Sequence, residues 1–220
     1  DALGIVRQEL GGKTALLGFA GAPWTLAAYM VEGGSPAHSP AIARLAQNEP
    51  GQFEKLMRKL TRAVTECLRL QVAAGADAVQ IFDSWGALCP AEHYEKWSLS
   101  WIKEIIAALP PKTPVIFFAK GMAQHATALQ ATGAKVLSLD QSVDLAAFRR
   151  AHPNIATQGN LEPELLAGEP DQVRTATSEL LRLVTGPGHI VNLGHGITPQ
   201  AKIECVAALV ETVVASSLSA

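Results

Sequence analysis

Short apolar runs that end at glycine or at polar residues recur along this chain. Six of them predict buried β-strands, at residues 15–19, 78–82, 115–118, 135–139, 154–157 and 189–193. Between most of these runs the apolar positions have helical spacing, which predicts helices at 52–74, 97–106, 122–131, 145–151, 172–184 and 200–216. Residues 33–50 are rich in Gly, Ser and Pro and are expected to form a surface loop. Alternating strands and helices indicate a parallel α/β sheet with right-handed crossovers.

Polar residues or glycines follow nearly every predicted strand. They are Gly21, Asp83-Ser84, Lys120-Gly121, Asp140, Gln158-Gly159-Asn160 and His195. A (β/α)8 TIM barrel gathers its chemistry at the carboxyl ends of all its strands, so these residues favour the barrel. A doubly wound sheet usually has one dominant crevice and a glycine fingerprint, and this sequence contains neither that fingerprint nor a Walker motif. A closed barrel has eight strands, so the six strands predicted here form part of one, in a single domain spanning residues 1–220.

Composition and charge narrow the class of protein. Hydrophobic residues make up 48% of the 220 residues and charged residues 17%, which predicts a sizeable folded core. A net charge of −2 gives no whole-surface attraction to nucleic acid or to anionic membranes. The three cysteines have no zinc or redox spacing, which favours reduced thiols in the cytoplasm. We expect no membrane helix and no signal peptide, and the start at Asp1 indicates processing or a longer parent chain.

Five stretches together resemble one known family. They are Gly-Phe-Ala-Gly-Ala-Pro-Trp-Thr-Leu at 18–26, Ile-Phe-Asp-Ser-Trp-Gly at 81–86, Phe-Ala-Lys-Gly at 118–121, Gln-Gly-Asn-Leu-Glu-Pro at 158–163 and Asn-Leu-Gly-His-Gly at 192–196. In this order they resemble the motifs of the uroporphyrinogen decarboxylase family, from about Leu16 to the C-terminus. Gln141 departs from the pattern, because the family often has an aromatic residue after the aspartate at this point.

The resemblance implies a single (β/α)8 barrel that forms homodimers with facing clefts. The six strands of this chain would then be the third to the eighth. The family's Arg-Gln-Ala-Gly-Arg segment and its catalytic aspartate belong to the first two β/α units, and neither motif is present here. No catalytic residue is therefore expected in this chain, and the chain alone is expected to be inactive.

The reaction that the resemblance implies is a decarboxylation in haem and tetrapyrrole biosynthesis. Four acetate side chains of uroporphyrinogen III lose carbon dioxide to give coproporphyrinogen III. No metal and no other cofactor is expected, because a protonated pyrrole ring accepts the electrons that carbon dioxide leaves behind. Three residues match substrate-binding positions of the family: Tyr29, Ser84 and His195. Each has a side chain that can bind a substrate carboxylate.

Each of these residues also has a structural interpretation. Tyr29 is alternatively a core tyrosine, Ser84 a helix cap or turn residue, and His195 an exposed loop histidine. Asp83 either orients neighbouring backbone amides or is a solvated turn residue. Residues 158–160 are expected to be structural, with side chains that satisfy the loop backbone and with Asn160 capping the following helix.

Lys120 either lines a basic rim or lies on the surface. The four tryptophans are expected mainly in the core, and the other histidines at the surface or in satisfied hydrogen bonds.

Two other functions are also compatible with the sequence. A zinc-dependent, corrinoid-type methyltransferase of the same superfamily needs His and Cys ligands at strand ends, and the expected His-x-Cys position holds Phe-Ala-Lys-Gly at 118–121. A non-catalytic fragment or pseudoenzyme is the other alternative, since six strands of a barrel leave two open sheet edges.

Overall fold

The computed structural model describes residues 1–34, 40–184 and 186–217. Two compact units make up the chain, one from Asp1 to Leu137 and the other from Ser138 onward. The expected single domain over residues 1–220 stays a prediction. No helix within the described residues has the length and apolar character needed to cross a lipid bilayer.

The first unit alternates strands with helices. Its strands are β1 (Leu17–Gly21), β2 (Ala78–Asp83) and β3 (Val115–Ala119). Its α-helices are α1 (Ala2–Leu10), α2 (Pro23–Glu32), α3 (Pro40–Asn48), α4 (Pro50–Ala73), α5 (Ser100–Ala108) and α6 (Ala126–Gln130). Short 3₁₀-helices lie at Gly86–Leu88, Ala91–His93 and Ala123–His125, and a π-helical turn at Glu95–Leu99 leads into α5. Strand β4 (Val136–Ser138) follows at the point in the chain where the first unit ends and the second begins.

The second unit continues the same alternation. It contains α7 (Leu145–Ala151), β5 (Ala156–Leu161), a 3₁₀-helix at Pro163–Ala167, α8 (Pro170–Leu183), β6 (His189–Leu193) and α9 (Ile203–Ser217). Helices α8 and α9 enclose a small apolar core with the 3₁₀-helix. Its buried members are Leu166, Val173, Cys205 and Ala208.

The strands follow one another in chain order in a six-stranded sheet. Pairing is parallel where β1 meets β2, where β2 meets β3 and where β5 meets β6. This confirms the predicted α/β class, and β6 lies where it was predicted. The strand predicted at 154–157 begins later and runs to Leu161, because Thr157–Leu161 form the ladder with His189–Leu193.

Helix α3 corrects the expectation of a surface loop over residues 33–50. Residues 35–39 of that range lie outside the described part of the chain, but 40–48 are helical. The Glu32 carboxylate accepts the first two amides, those of Ala41 and Ile42, at 2.9 and 3.0 Å. Ile42 and Ala46 are buried one turn apart. A cap from the preceding helix and a face of only two buried residues gave no strong signal in the sequence.

Helix α4 confirms the long helix predicted at 52–74. Its buried residues are Phe53, Met57, Thr61, Val64 and Leu68. Cys67 of this helix is exposed. Phe53 packs against Trp24 and Trp97, whose rings are stacked with centroids 6.1 Å apart. These two tryptophans lie in the core, as predicted for most of the four.

His189 forms a chain of hydrogen bonds at the start of β6. Arg149 donates to the hydroxyl of Thr157 at 3.1 Å, and that hydroxyl lies 2.9 Å from Nδ1 of His189. Nε2 lies 2.9 Å from the carbonyl of Gly159, which can only accept. Nε2 therefore carries a proton, and in the neutral ring Nδ1 accepts from the Thr157 hydroxyl. Burial lowers the pKa of His189, Gly159 opposes this, and the charge of Arg149 lowers the pKa further.

The neutral ring predicts a loss of stability in acid. As the pH falls, His189 in the unfolded chain takes up a proton near its ordinary pKa of 6.5. In the folded chain it does so only at a lower pH. The free energy of unfolding should therefore fall as the pH decreases below about 6.5. Urea denaturation at a series of pH values measures it, and His189→Gln should show a smaller decrease. Equal pH dependence in the two proteins would contradict a neutral His189.

Candidate functional site

Asp83 ends β2 and is fully buried, with no solvent-exposed surface. Its Oδ1 accepts from the Thr25 hydroxyl at 2.7 Å, and its Oδ2 accepts from Ser98 at 2.7 Å and Tyr94 at 2.9 Å. Burial raises the pKa of Asp83, while the hydrogen bonds from Ser98, Thr25 and Tyr94 lower it. Three hydroxyl donors suit an ionised carboxylate, which accepts and does not donate. The alternative of a solvated turn aspartate is wrong.

The Asp83 network fixes the loop that follows β2, residues 84–88. Thr25 donates to Asp83 and in turn accepts from the backbone amide of Trp85 at 3.2 Å. The buried Trp24 indole donates to the carbonyl of Trp85 at 3.0 Å. Both anchors come from the start of α2, whose preceding residue Ala22 donates to the Phe82 carbonyl at 2.8 Å. Asp83 thus orients a backbone amide through the Thr25 hydroxyl.

Ser84 belongs to this anchored loop, and Tyr29 packs against the loop through Trp85. Ser84 is half-buried in the turn before the 3₁₀-helix, where Trp85 occupies the N-cap position, so Ser84 is a turn residue and not the cap. Tyr29, near the end of α2, is 39% exposed and is therefore not a core tyrosine. Its ring meets the Trp85 ring edge to face, with centroids 5.9 Å apart. Trp85 links the two candidate residues within the first unit.

Aromatic side chains cover one face of β1, β2 and β3. Phe19 meets Phe82 at 6.1 Å between centroids, and Phe82 meets Phe118 at 5.8 Å. Phe19 is 66% exposed, although its side chain is apolar. The exposed ring of Phe19 offers flat apolar surface that suits a planar ligand. Phe19 and Phe82 were not among the predicted site residues, although strand periodicity places both on one face.

In the second unit, His195 lies two residues beyond β6 and is exposed. The preceding Gly194 is buried, and its amide donates to the Leu161 carbonyl at the end of β5 at 2.7 Å. A Cβ on Gly194 would lie 2.3 Å from the backbone nitrogen of Gln141, so only glycine fits at this position. The close approach fixes the backbone from which His195 projects. Gln141, the residue that departs from the family pattern, supplies that contact.

Asn160 satisfies loop backbone, as predicted, but it is not a helix cap. It is a residue of β5, and its side-chain amide donates to the carbonyls of Asp140 and Val143 at 2.9 and 2.8 Å. It therefore holds the loop after β4 and does not cap the helix that follows it in the chain. Asp140 is buried, and its Oδ1 accepts from the Ser142 amide at 3.0 Å. Both residues organise backbone in the second unit.

Lys120 is exposed and its backbone amide donates to the Asp83 carbonyl at 3.4 Å. His38 lies outside the described residues.

Within the described ranges, no three His, Cys, Asp or Glu side chains come together in a way that could hold a metal ion.

Comparisons with known proteins identify the family. The family model for uroporphyrinogen decarboxylase matches residues 1–215. The uroporphyrinogen decarboxylase of Dichelobacter nodosus is 43% identical over 215 residues, covering 96% of this chain and 62% of that protein. The chain belongs to the uroporphyrinogen decarboxylase family. The match begins at residue 1, so it includes helix α1, which precedes the first motif recognised in the sequence.

Other relatives match this chain over a similar length. The uroporphyrinogen decarboxylases of Pseudomonas fluorescens and Cellvibrio japonicus are each 40% identical over 220 residues, covering 97% of this chain. In both cases the chain spans 62% of the relative's length. This chain of the uroporphyrinogen decarboxylase family therefore corresponds to somewhat less than two thirds of those proteins.

Solved structures share the fold at low identity. A methyltransferase from Methanosarcina mazei superposes with a TM-score of 0.82 at 18% identity, covering 98% of this chain and 63% of that one. A B12-independent methionine synthase from Shewanella gives 0.64 at 14% identity, covering 100% of this chain and 67% of that one. With the parallel strand order, this confirms a TIM-barrel-like α/β fold for this member of the uroporphyrinogen decarboxylase family.

The Asp83 network predicts different effects for two nearby serines, Ser98 in the π-helical turn and Ser100 at the start of α5. Ser98→Ala removes a donor from a buried carboxylate and should lower the free energy of unfolding by about 2 kcal/mol. The exposed Ser100 donates to the Lys96 carbonyl, and Ser100→Ala is the matched control, with a change within about 0.5 kcal/mol. Urea denaturation at neutral pH measures both. Equal effects of the two substitutions would show that the hydroxyl of Ser98 does not support Asp83.

Proposed function

We propose that this chain supplies the substrate-binding part of a uroporphyrinogen decarboxylase. The reaction converts uroporphyrinogen III to coproporphyrinogen III by removing carbon dioxide from four acetate side chains. The family membership of residues 1–215, at 43% identity to a relative of that name, is the observation that supports this proposal most strongly. The setting is tetrapyrrole synthesis in the cytoplasm, by a homodimer.

The chemistry of the step explains which groups the protein must provide. The bond between the acetate methylene and its carboxylate breaks, carbon dioxide leaves, and a proton takes its place to give a methyl group. A pyrrole protonated on a ring carbon accepts the released electron pair, so no metal or other cofactor is needed for this step. The protein has to position the macrocycle, bind its carboxylates and stabilise the cation.

Three side chains of this chain suit the carboxylates. Tyr29 and Ser84 offer hydroxyl donors beside the Trp85 ring, on a loop that the buried Asp83 network anchors. His195 offers an imidazole on backbone fixed by Gly194. Phe19 and Phe82 offer apolar surface for the pyrrole rings. The carboxylate and arginines that act on the reacting pyrrole belong to the family's N-terminal segment, and this chain without that segment is inactive.

The experiment joins this chain to the N-terminal segment of the Dichelobacter nodosus relative. The hybrid should convert uroporphyrinogen to coproporphyrinogen, whereas the 220-residue chain alone should not. In the hybrid, Tyr29→Phe, Ser84→Ala and His195→Ala should each lower kcat/KM roughly tenfold, the loss of one hydrogen bond to a charged group. The urea midpoint should stay the same, since all three side chains are at least partly exposed.

Ser100→Ala is the matched control for Ser84→Ala and should retain the activity of the hybrid. Unchanged kinetics in all three variants would remove these residues from the substrate site. Decarboxylation by the chain alone would show that the reacting groups lie within residues 1–220.

A further inference from the structure

The ring of Tyr29 lies just beyond the buried part of α2. Ala27 and Ala28 are the last buried residues of that helix, and the next two residues, Tyr29 and Met30, are 39% and 65% exposed. The Tyr29 carbonyl accepts from the amide of Gly33, which closes the last turn. Among the described residues, no group hydrogen-bonds to the Tyr29 hydroxyl. The helix therefore fixes the backbone of Tyr29, and the position of the hydroxyl depends on what the ring contacts.

The ring of Trp85 supplies that contact. The two rings meet with their centroids 5.9 Å apart and their planes at 76° to each other. Aromatic pairs prefer this edge-to-face arrangement, which stabilises them beyond the burial of apolar surface. A tyrosine ring that packs in this way is restricted in its rotation, and its hydroxyl is restricted with it.

Trp85 is itself held through its backbone. Its amide donates to the hydroxyl of Thr25 at 3.2 Å, and its carbonyl accepts from the Trp24 indole and from the Leu88 amide, both at 3.0 Å. None of these three bonds uses the side chain of Trp85. A substitution of that side chain therefore removes the contact with Tyr29 and leaves these anchors of the loop in place.

The polar atom of the Trp85 side chain makes no hydrogen bond that would explain its position. The indole nitrogen is buried and has no hydrogen-bond partner among the described residues. A buried N–H group without an acceptor is unfavourable. The ring of Trp85 and not its N–H group is thus what the surrounding structure uses, and a phenylalanine ring should be able to replace it.

We propose that Trp85 is a positioning residue that orients the Tyr29 ring and so places its hydroxyl for the ligand. The identity of that ligand group, a carboxylate of the tetrapyrrole, rests on the proposed function, whereas the contact between the two rings does not. A side chain that is ordered before binding loses less conformational entropy when the ligand arrives, so the ligand binds more tightly. Trp85 acts through Tyr29 and needs no contact with the substrate.

The test follows the Tyr29 ring by NMR in this chain with ¹³C-labelled tyrosine. The chain has two tyrosines, Tyr29 and Tyr94, and the signals that are missing in Tyr29→Phe assign the residue. Trp85→Ala should move the Tyr29 ring signals toward those of free tyrosine, because the ring current of the indole is lost. Relaxation measurements should show larger motion of the ring in this variant, and Trp85→Phe should restore much of the order.

Trp101 of α5 offers a matched control. It is also partly buried, with an indole nitrogen that has no partner among the described residues, but its ring lies under Arg58, with the guanidinium carbon 5.7 Å from the ring centroid. Trp101→Ala should leave the Tyr29 signals and relaxation unchanged. Trp85→Leu keeps apolar volume without a ring, and it replaces Trp85→Ala in the test if that variant does not fold.

A Tyr29 ring that is as ordered in Trp85→Ala or Trp85→Leu as in wild type overturns the proposal. The same loss of order in Trp101→Ala also overturns it, because the effect would then not depend on contact with Tyr29. These measurements use no substrate. A hybrid enzyme without activity would therefore refute the proposed function and leave the NMR result unaffected.

In an active hybrid, the proposal predicts a kinetic signature. Trp85→Ala should raise KM several-fold with little change in kcat, because the oriented hydroxyl contributes to binding, and Trp85→Phe should restore most of the loss. In a Tyr29→Phe background there is no hydroxyl to orient, so Trp85→Ala should have no further effect. An equal effect of Trp85→Ala with and without the Tyr29 hydroxyl would show a merely structural role for Trp85.

Discussion

A carboxylate that is closed off from water must receive hydrogen bonds from the protein, and this requirement arranges the first unit of the chain. Asp83 has no exposed surface and accepts from three hydroxyl groups that come from α2 and from the turns before α5. Burying a charge without such donors would cost several kcal/mol. The donors therefore tie α2, the segment before α5 and the end of β2 to one point. Ser84 and Trp85 follow that point directly, and Trp85 contacts Tyr29.

In the second unit, Gly194 fixes the backbone from which the candidate residue His195 projects. Gly194 allows the chain beyond β6 to pass within van der Waals contact of the Gln141 backbone, while its own amide completes the ladder to Leu161. Asn160 holds the loop that contains Asp140 and Val143. In this unit, as in the first, buried polar groups of the sheet organise the loops, and the exposed side chains beyond them are left for binding.

Local patterns in the sequence predict part of the fold and part of the candidate site. The strands of the sheet follow from short apolar runs, and the long helix α4 from its apolar periodicity, since burial imposes both patterns directly. Helix α3 was missed because its cap, Glu32, comes from the preceding helix. The network around Asp83 was missed because Thr25, Tyr94 and Ser98 are distant from it or from one another in sequence, and a hydroxyl has no periodic signature. The family motifs supplied Tyr29, Ser84 and His195, whereas composition and spacing alone left each of them with a structural alternative.

The most direct test of the substrate site is a crystal structure of the hybrid enzyme with coproporphyrinogen bound under reducing conditions. The proposed function predicts that carboxylates of the tetrapyrrole accept hydrogen bonds from the hydroxyls of Tyr29 and Ser84 and from the ring of His195, with a pyrrole face against Phe19 or Phe82. A tetrapyrrole bound in a position where it contacts none of these side chains would contradict the proposed site.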